Sequence, residues 1–272
     1  MPNNIEFLTL ENKHLKITLC TLGASIFRIQ YYGDDMVVTP KETSDFFRDD
    51  IYFGKTIGDV CGRILVDGKV QLHGGSKGLS RKIFDYKTNN HNEVVFVYET
   101  TKVFYELLDD GLLVRFEATT DNKKLLSLTN HAYFCLGENH INLLFLRMHV
   151  SKYISYDKDL IPVQMNKISE PFVFDEYMQL GLVDIDNFFV IDDKTINLKS
   201  SKYELTIKSD FEGTQIFTDH FRNNVKTTLS DNDFYRGVAI EPQDSQLDRR
   251  YLGTNQIYKK EILYTFKRIK EK

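Results

Sequence analysis

The sequence predicts an all-β fold with antiparallel strands, arranged as a sandwich or a barrel. Short segments rich in Val, Ile, Phe, Tyr and Thr alternate apolar and polar residues with a period of two. Turn-forming stretches such as YYGDD, KTNNHNE and LDDGLL separate these segments. Because parallel strands need long crossover connections, strands that follow one another without helices predict antiparallel pairing.

The individual elements follow from this pattern in chain order. The predicted strands cover residues 5–10, 14–22, 25–32, 36–39, 93–100, 112–120, 141–150, 188–191, 195–199, 203–208, 214–218, 237–241 and 261–269. Brief helical turns are predicted at Ser44–Asp49 and at Pro171–Gly181, the second of which has Pro at its start and Gly at its end. Pro242 is predicted to end its strand and to leave Glu241 at a sheet rim. No repeat or linker divides the chain, so one domain over residues 1–272 is predicted.

Composition and charge exclude several classes of protein. Hydrophobic residues make up 42% of the 272 residues and charged residues 27%, as in globular proteins with a sizeable core. The formal charge is −4 and basic residues are scattered, which predicts no nucleic-acid and no membrane partner. Cys20, Cys61 and Cys135 are widely spaced, which favours neither disulfides nor a thiolate zinc site. With no apolar leader or membrane-length segment, a cytoplasmic location is predicted, and nothing in the sequence indicates the oligomeric state.

Polar residues or clustered glycines interrupt the strand pattern in four places. These are YFGKTIGDVCGRI (52–64), LHGG (72–75), LSLTNHAYFCL (126–136) and GVAIEPQ (237–243). Taken singly, each has an ordinary structural explanation: a surface arginine, a glycine turn, a hydrogen-bonded core pair or a solvated carboxylate. Each is also compatible with a ligand site.

Metal, nucleotide and common hydrolase sites are not favoured. His131, Cys135 and His140 are near one another in sequence but do not have the spacing of a zinc site, so no metal is predicted. The sequence has no G-x-S-x-G, G-x-G-x-x-G or Walker motif.

Taken together and in order, the four segments resemble the aldose 1-epimerase (galactose mutarotase) family. YFGKTIGDVCGRI is similar to the family's Tyr-Phe-Gly…Asn-Arg-Ile segment, LHGG to its Leu-His-Gly-Gly segment and LTNHAYFCL to its Leu-Thr-Asn-His-Ser-Tyr-Phe-Asn-Leu segment. DNFFVI, GTQIFT and IEPQ are similar to later family segments. The resemblance covers about Leu22 to Gln243 and implies a galactose mutarotase-like supersandwich, a large antiparallel β-sandwich with a sugar pocket.

The resemblance also implies residue roles and a reaction. Glu241 is implied as general base, His131 as general acid and His73 as a second histidine at the sugar; Arg63, Tyr133, Asp186 and Gln215 fall on sugar-binding positions. The implied activity is interconversion of the α and β anomers of a free aldose of the galactose or glucose type. Since the reaction moves one proton off the C1 hydroxyl and one onto the ring oxygen, two proton carriers suffice and no cofactor is expected. Histidine suits one role because its ordinary pKa is near neutrality.

This sequence departs from the family pattern in the hairpin and around the arginine. Arg63 and His73 are separated by a shorter hairpin than is usual, Gly62 replaces an Asn, Asp59 an Arg and Phe217 a Tyr. These changes predict a more open pocket and leave the preferred sugar undetermined. Two alternatives stay open: a hexose-phosphate epimerase, for which Lys77 or Arg81 would bind phosphate, and a carbohydrate-binding protein without turnover.

Overall fold

The computed structural model describes residues 4–247, 249 and 251–270. Nearly all regular structure in these residues is β-strand, which confirms the predicted all-β class. The predicted domain also includes residues 1–3, 248, 250, 271 and 272, which lie outside the described part, and the one-domain prediction stays a prediction. The elements are β1 (Phe7–Glu11), β2 (Leu15–Cys20), β3 (Ser25–Tyr31), β4 (Asp34–Asp35), α1 (Thr43–Phe46), β5 (Thr56–Ile57), β6 (Arg63–Val66), β7 (Lys69–Leu72), β8 (Asp85–Asn90), β9 (Glu93–Tyr98), β10 (Thr101–Leu108), β11 (Gly111–Ala118), β12 (Lys124–Leu125), β13 (Thr129–Asn130), β14 (Tyr133–Phe134), β15 (Phe145–Tyr156), β16 (Pro162–Lys167), β17 (Met178–Gln179), β18 (Asp186–Lys199), β19 (Tyr203–Ser209), β20 (Gly213–Phe217), β21 (Val238–Gln243), β22 (Tyr251–Leu252) and β23 (Tyr258–Arg268), with 3₁₀ turns at Gly75–Lys77, Leu79–Arg81 and Ile141–Leu143.

Two antiparallel sheets form the sandwich. The smaller has the order β1-β2-β3-β4, and the larger runs β14-β21-β20-β18-β19-β23-β11-β10-β9-β8. β15 also pairs with β18, and β16 and β17 pair with β15. Every strand pair in the described residues is antiparallel. The predicted antiparallel pairing is therefore confirmed.

The core lies between these two sheets. Alternate residues of β10 are buried, as a strand with one face on the core requires, and Tyr105 of β10 donates a 2.6 Å hydrogen bond to the carbonyl of Ala24 beside β3. At the other end of the interface, the ring of Tyr31 is 5.8 Å from that of Phe266. One cluster of buried apolar residues includes members of both sheets, and burying each Val, Leu, Ile, Phe or Met side chain contributes roughly 1.5–3 kcal/mol. The two sheets are therefore joined chiefly by apolar packing.

The prediction of a helical turn at Pro171–Gly181 is wrong, whereas the one at Ser44–Asp49 is confirmed as the single turn α1, one residue earlier in the chain. Within 171–181, Phe174 is buried while its neighbours are not, and β17 pairs with Phe145 and Leu146 of β15. Pairing to a neighbouring strand therefore overrides the local helix signals. No helix in the part of the chain described here is long and apolar enough to cross a membrane.

The prediction that Pro242 ends its strand is also wrong. β21 continues to Gln243, and Pro242 pairs with Thr214 of β20. On its other side β21 pairs with β14 only at Val238 and Ala239, so position 242 has one ladder neighbour, and a residue without an N–H is tolerated there. As a result Glu241 is not at a solvated rim but is buried.

The loop before β5 fixes the backbone on which His131 lies. Gly54 donates to the His131 carbonyl at 2.9 Å, and the His131 N–H donates to the Lys55 carbonyl at 3.0 Å. Asn130 donates from Nδ2 to the Gly54 carbonyl at 2.8 Å, so it has the structural role of a core amide. A Cβ at Gly54 would lie 1.8 Å from the Ile26 carbonyl oxygen, so this close approach requires glycine.

Lys55 makes the stability of this loop depend on pH. Its ammonium group is buried over the ring of Phe46 and donates to the Arg48 carbonyl; burial lowers its pKa from 10.5 to about 8. Between these two values the unfolded chain binds a proton that the folded chain does not, so stability rises with pH through this window. We expect the free energy of unfolding of the wild type, relative to Lys55→Met, to increase from pH 8 to pH 10.5 in urea titrations. A difference that does not change with pH would contradict this.

Candidate active site

All seven residues that the sequence resemblance indicated line one cleft of about 270 Å³. They come from chain segments far apart in sequence, which the large sheet and the hairpin β6–β7 bring together: Arg63, His73, His131, Tyr133, Asp186, Gln215 and Glu241. Small-molecule sites commonly measure about 300–1,000 Å³. At about 270 Å³ the cleft is just below this range, which suits a ligand of one small ring.

His131 and Glu241 form a buried pair at the bottom of the cleft. His131 lies between β13 and β14, and because β14 pairs with β21 through Tyr133 and Ala239, its imidazole meets the carboxyl group two residues further along β21. His131 Nε2 is 3.2 Å from Glu241 Oε1, and the side chains are 5% and 2% exposed. The pair can therefore exchange a proton directly.

Burial governs the protonation of this pair. It raises the pKa of Glu241 well above its ordinary value. Repulsion from Asp186 also raises this pKa, whereas the charge of Arg63 lowers it. Burial also lowers the pKa of His131 to about 3. Both shifts favour the uncharged form of the pair, in which Glu241 holds the proton, and the 3.2 Å contact is short enough for that proton to pass to the imidazole.

The short hairpin β6–β7 still brings His73 to the cleft. At its base, His73 donates its backbone N–H to the Gly62 carbonyl at 3.0 Å, while His73 Nδ1 accepts from the Gly62 N–H at 3.2 Å. This leaves Nε2 as the protonated nitrogen of a neutral ring. The His73 and His131 rings are 5.3 Å apart, and burial, followed by the charges of His131 and Arg63, lowers the pKa of His73 well below its usual range.

A chain of polar groups forms the wall beside Glu241. Arg63 Nη1 is 3.7 Å from Asp186 Oδ2, and Asp186 Oδ1 accepts from Gln215 Nε2 at 2.7 Å. Gln215 is directly opposite Glu241 in the β20–β21 ladder, and its Oε1 accepts from the Tyr156 hydroxyl at 3.0 Å. These groups offer both donors and acceptors within reach of a bound ring.

Two tyrosine rings hold the imidazole of His131 between them. Tyr133 stacks on it at 5.0 Å with an interplanar angle of 21°, and Tyr52 lies at 5.7 Å and 24°. Tyr52 also contacts His73 edge-on at 4.8 Å. This packing fixes the orientation of His131 without a hydrogen bond to its second nitrogen.

Several cleft residues were not recognised from the sequence. Tyr52 lies in a segment that was singled out, and Gln243 follows Glu241 by two positions, so the period of a strand places it on the same face. No sequence signal indicates Tyr156 or Gln246, because their places in the cleft depend on long-range packing.

Unpaired polar atoms are concentrated in this cleft. Among the described residues, the buried atoms without a hydrogen-bond partner include His131 Nδ1, Glu241 Oε2, both amide atoms of Gln243 and Gln246 Oε1. Each such group costs roughly 1–3 kcal/mol when buried unpaired. A ligand with several hydroxyl groups would satisfy them.

His73, His131 and Glu241 could also hold a metal ion, since one ligand atom from each lies within 4.8 Å of the others. Two imidazoles and a carboxylate are a ligand set that Zn²⁺ accepts. The absence of a metal requirement stays a prediction.

Comparisons with known proteins agree with this architecture and identify the family. The chain is 22% identical to a maltose epimerase of Levilactobacillus brevis over 88% of its own length and 85% of that protein. It is 25% identical to human galactose mutarotase, in an alignment that covers 58% of this chain and only 56% of that protein. A GalM/aldose epimerase homologue from C. elegans superposes with a TM-score of 0.88 at 26% identity, over 98% of this chain and 100% of that one.

A further solved structure and a family model extend this agreement to nearly the whole chain. A galactose 1-epimerase from Lactobacillus acidophilus has the same fold, with a TM-score of 0.86 at 19% identity, over 98% of this chain and 95% of that one. The family model described as aldose 1-epimerase matches residues 6–265. The chain therefore belongs to the aldose 1-epimerase family of isomerases.

Proposed function

We propose that this protein is an aldose 1-epimerase that interconverts the α and β anomers of a free aldose, with Glu241 and His131 as its proton carriers. The observation that carries this proposal is the buried 3.2 Å contact between His131 Nε2 and Glu241 Oε1 in a cleft lined by polar side chains. The C1 hydroxyl and the ring oxygen are bonded to the same carbon. A base and an acid that serve both must therefore be close neighbours, as these two are.

The reaction needs the pair in its charge-separated form. Transfer of the shared proton from Glu241 to His131 gives a carboxylate and an imidazolium, a form that the neighbouring charge of Arg63 favours. The carboxylate removes the C1 hydroxyl proton while the imidazolium protonates the ring oxygen, the bond from C1 to the ring oxygen breaks, and a C1 aldehyde forms. Rotation about C1–C2 followed by the reverse transfers recloses the ring on the other face.

The remaining polar groups hold the sugar in register. Arg63, Asp186 and Gln215 form one wall, from which we infer contacts to ring hydroxyls, and His73 lies beside His131 as a second donor. The face of Tyr133 covers part of the cleft floor. Fixing the ring in this way reduces the entropic part of the barrier.

A phosphorylated substrate fits this cleft less well than a free sugar. Of the cationic side chains in its described lining, Arg63 is paired with Asp186, and Arg222 is paired with Asp233 at 2.9 Å. Lys77 and Arg81 do not line the cleft, and Arg81 forms an ion pair with Asp49. These pairings favour a free aldose over a hexose phosphate.

A reducing disaccharide is a second candidate substrate. The relative from Levilactobacillus brevis is named a maltose epimerase. In this chain, Phe221 lies at the cleft with 54% of its surface exposed and stacks on Phe217 at 5.7 Å. This exposed ring could carry a second sugar whose reducing ring occupies the inner cleft.

Polarimetry tests the proposal. Freshly dissolved α-glucose, α-galactose, glucose 6-phosphate and maltose are followed with and without micromolar protein, and the uncatalysed rate in the same buffer is subtracted. We expect acceleration with at least one unphosphorylated sugar. If none is accelerated while the protein binds sugar, it is a carbohydrate-binding protein, and a preference for glucose 6-phosphate would identify a hexose-phosphate epimerase.

The pH profile carries a separate prediction. Because burial lowers the pKa of His131 to about 3 and raises that of Glu241, the pair gains a second proton only well below the pH at which an ordinary histidine does. We expect no loss of kcat/KM on the acid side between pH 6.5 and pH 5, where an ordinary histidine gains its proton, and a fall on the alkaline side, where Glu241 loses the shared proton. A loss of activity on the acid side with an inflection near 6.5, the pKa of an ordinary histidine, would count against this pair.

A further inference from the structure

The amide of Gln246 occupies the space that a side chain at position 62 would take. A Cβ built on Gly62 would lie 2.7 Å from Gln246 Cδ and 2.8 Å from its Oε1, and Gly62 has a φ of +68°. Gln246 is 93% buried, with an exposed fraction of 7%, and lines the cleft. Arg249 anchors this segment, because it donates to the carbonyls of both Gln246 and Arg63.

The hydrogen-bond chain along the wall fixes which way this amide points. The carboxylate of Asp186 only accepts, so Gln215 must turn Nε2 towards it and Oε1 towards Gln246. Gln246 must then donate from Nε2 to that oxygen, at 3.3 Å. Its own Oε1 is left buried and without a partner.

We propose that Gln246 is a substrate-recognition residue whose Oε1 accepts a hydrogen bond from a ring hydroxyl of the aldose. This inference rests on the proposed function, since the ligand is the sugar whose anomeric carbon lies at His131 and Glu241. Gly62 is the matching requirement, because only a residue without a side chain leaves room for the amide.

Gln246→Ala tests the proposal through a split between KM and kcat. We expect KM for the best sugar to rise about tenfold with kcat changed less than threefold, since the contact is made to the bound ring and not to the moving protons. Gln164→Ala, an exposed glutamine outside the cleft, is the matched control and should leave both constants unchanged. An unchanged KM in a folded Gln246→Ala protein would overturn the proposal.

Deoxy sugars identify the hydroxyl and separate recognition from a structural role. The 2-, 3-, 4- and 6-deoxy analogues of D-glucose are compared on wild type and Gln246→Ala. For one analogue, kcat/KM should be about tenfold lower than for D-glucose with the wild type but less than threefold lower with Gln246→Ala. The missing hydroxyl and the missing amide remove the same hydrogen bond, so the second loss adds little to the first. Equal losses on both proteins for every analogue would overturn the assignment.

The pair Gly62→Asn and Gly62→Asn/Gln246→Ala tests the shared space. Asn tolerates positive φ, so the single variant should fold but displace the Gln246 amide and lower kcat/KM. Removing that amide in the double variant should raise kcat/KM at least threefold above that of the Gly62→Asn single variant. Independent, additive effects would contradict the shared space.

Thermal stabilisation by 100 mM D-glucose or D-galactose keeps this test distinct from the proposed activity. If the wild type does not accelerate mutarotation, the proposed function fails; sugar-dependent stabilisation of the wild type that is weaker in Gln246→Ala would still support the recognition role. Equal stabilisation of both would overturn it.

Discussion

Glu241→Gln should lower kcat for mutarotation by roughly 10²–10⁴-fold, the contribution of one positioned acid or base. The amide has the shape of the carboxyl group and can keep a hydrogen bond to His131 Nε2, but it cannot take up the C1 hydroxyl proton. Because the raised pKa of Glu241 favours its neutral form in the folded protein, the neutral amide should preserve the fold. Polarimetry at saturating sugar gives kcat, and thermal unfolding serves as the control.

Two outcomes separate catalysis from folding in this variant. A large loss of kcat with an unchanged unfolding midpoint supports Glu241 as the base. A folded variant that retains the wild-type rate removes Glu241 from the mechanism, whatever its burial.

His131→Ala should lower kcat for mutarotation by a similar factor, because no side chain is then left to protonate the ring oxygen of the sugar. The substitution leaves a slot between Tyr52 and Tyr133, whose rings are 5.7 and 5.0 Å from that of His131. We expect imidazole at millimolar concentrations to bind in this slot and to raise the rate of the variant at least threefold. A purely structural defect would not be rescued in this way. Unchanged kcat in the variant would rule out His131 as the acid.

The double variant Glu241→Gln/His131→Ala adds a check on the pair as a unit. Residues that pass the same proton are not additive, so the double variant should be little slower than either single one. Multiplicative losses would mean that the two groups act in separate steps.

The strand pattern predicted the fold class well because alternation is a local property. β2, β3 and β11 follow predicted segments closely. β10 was missed, because its burial alternates but its sequence, TKVFYELL, has adjacent apolar residues. The errors at Pro171–Gly181 and Pro242 have a different cause. In both places a neighbouring strand, β15 or β20, decides the conformation, and neither neighbour can be read from the local residues.

The sequence predicted the site only because several segments occur in the same order along the chain as in the aldose 1-epimerase family. His131, Glu241 and Asp186 are far apart in the chain, and each has an ordinary explanation alone; no periodicity places them in one cleft. Gln246 is beyond such reasoning, since it lies between the predicted strands 237–241 and 261–269 and occupies space that is open only because Gly62 has no side chain. Residues on strand faces can be anticipated, but residues that fill another segment's space cannot.

The hairpin β6–β7 gives the cleft a wall that can be changed separately from its floor. Its strands pair only with each other in the described structure, and Leu65 and Val70 near its tip are exposed. Residues inserted at the Asp67–Gly68 turn would therefore meet solvent and not the sandwich. Hairpins of different length could be exchanged at this turn to enclose larger or smaller sugars, while His131, just before β14, and Glu241, on β21, keep their spacing.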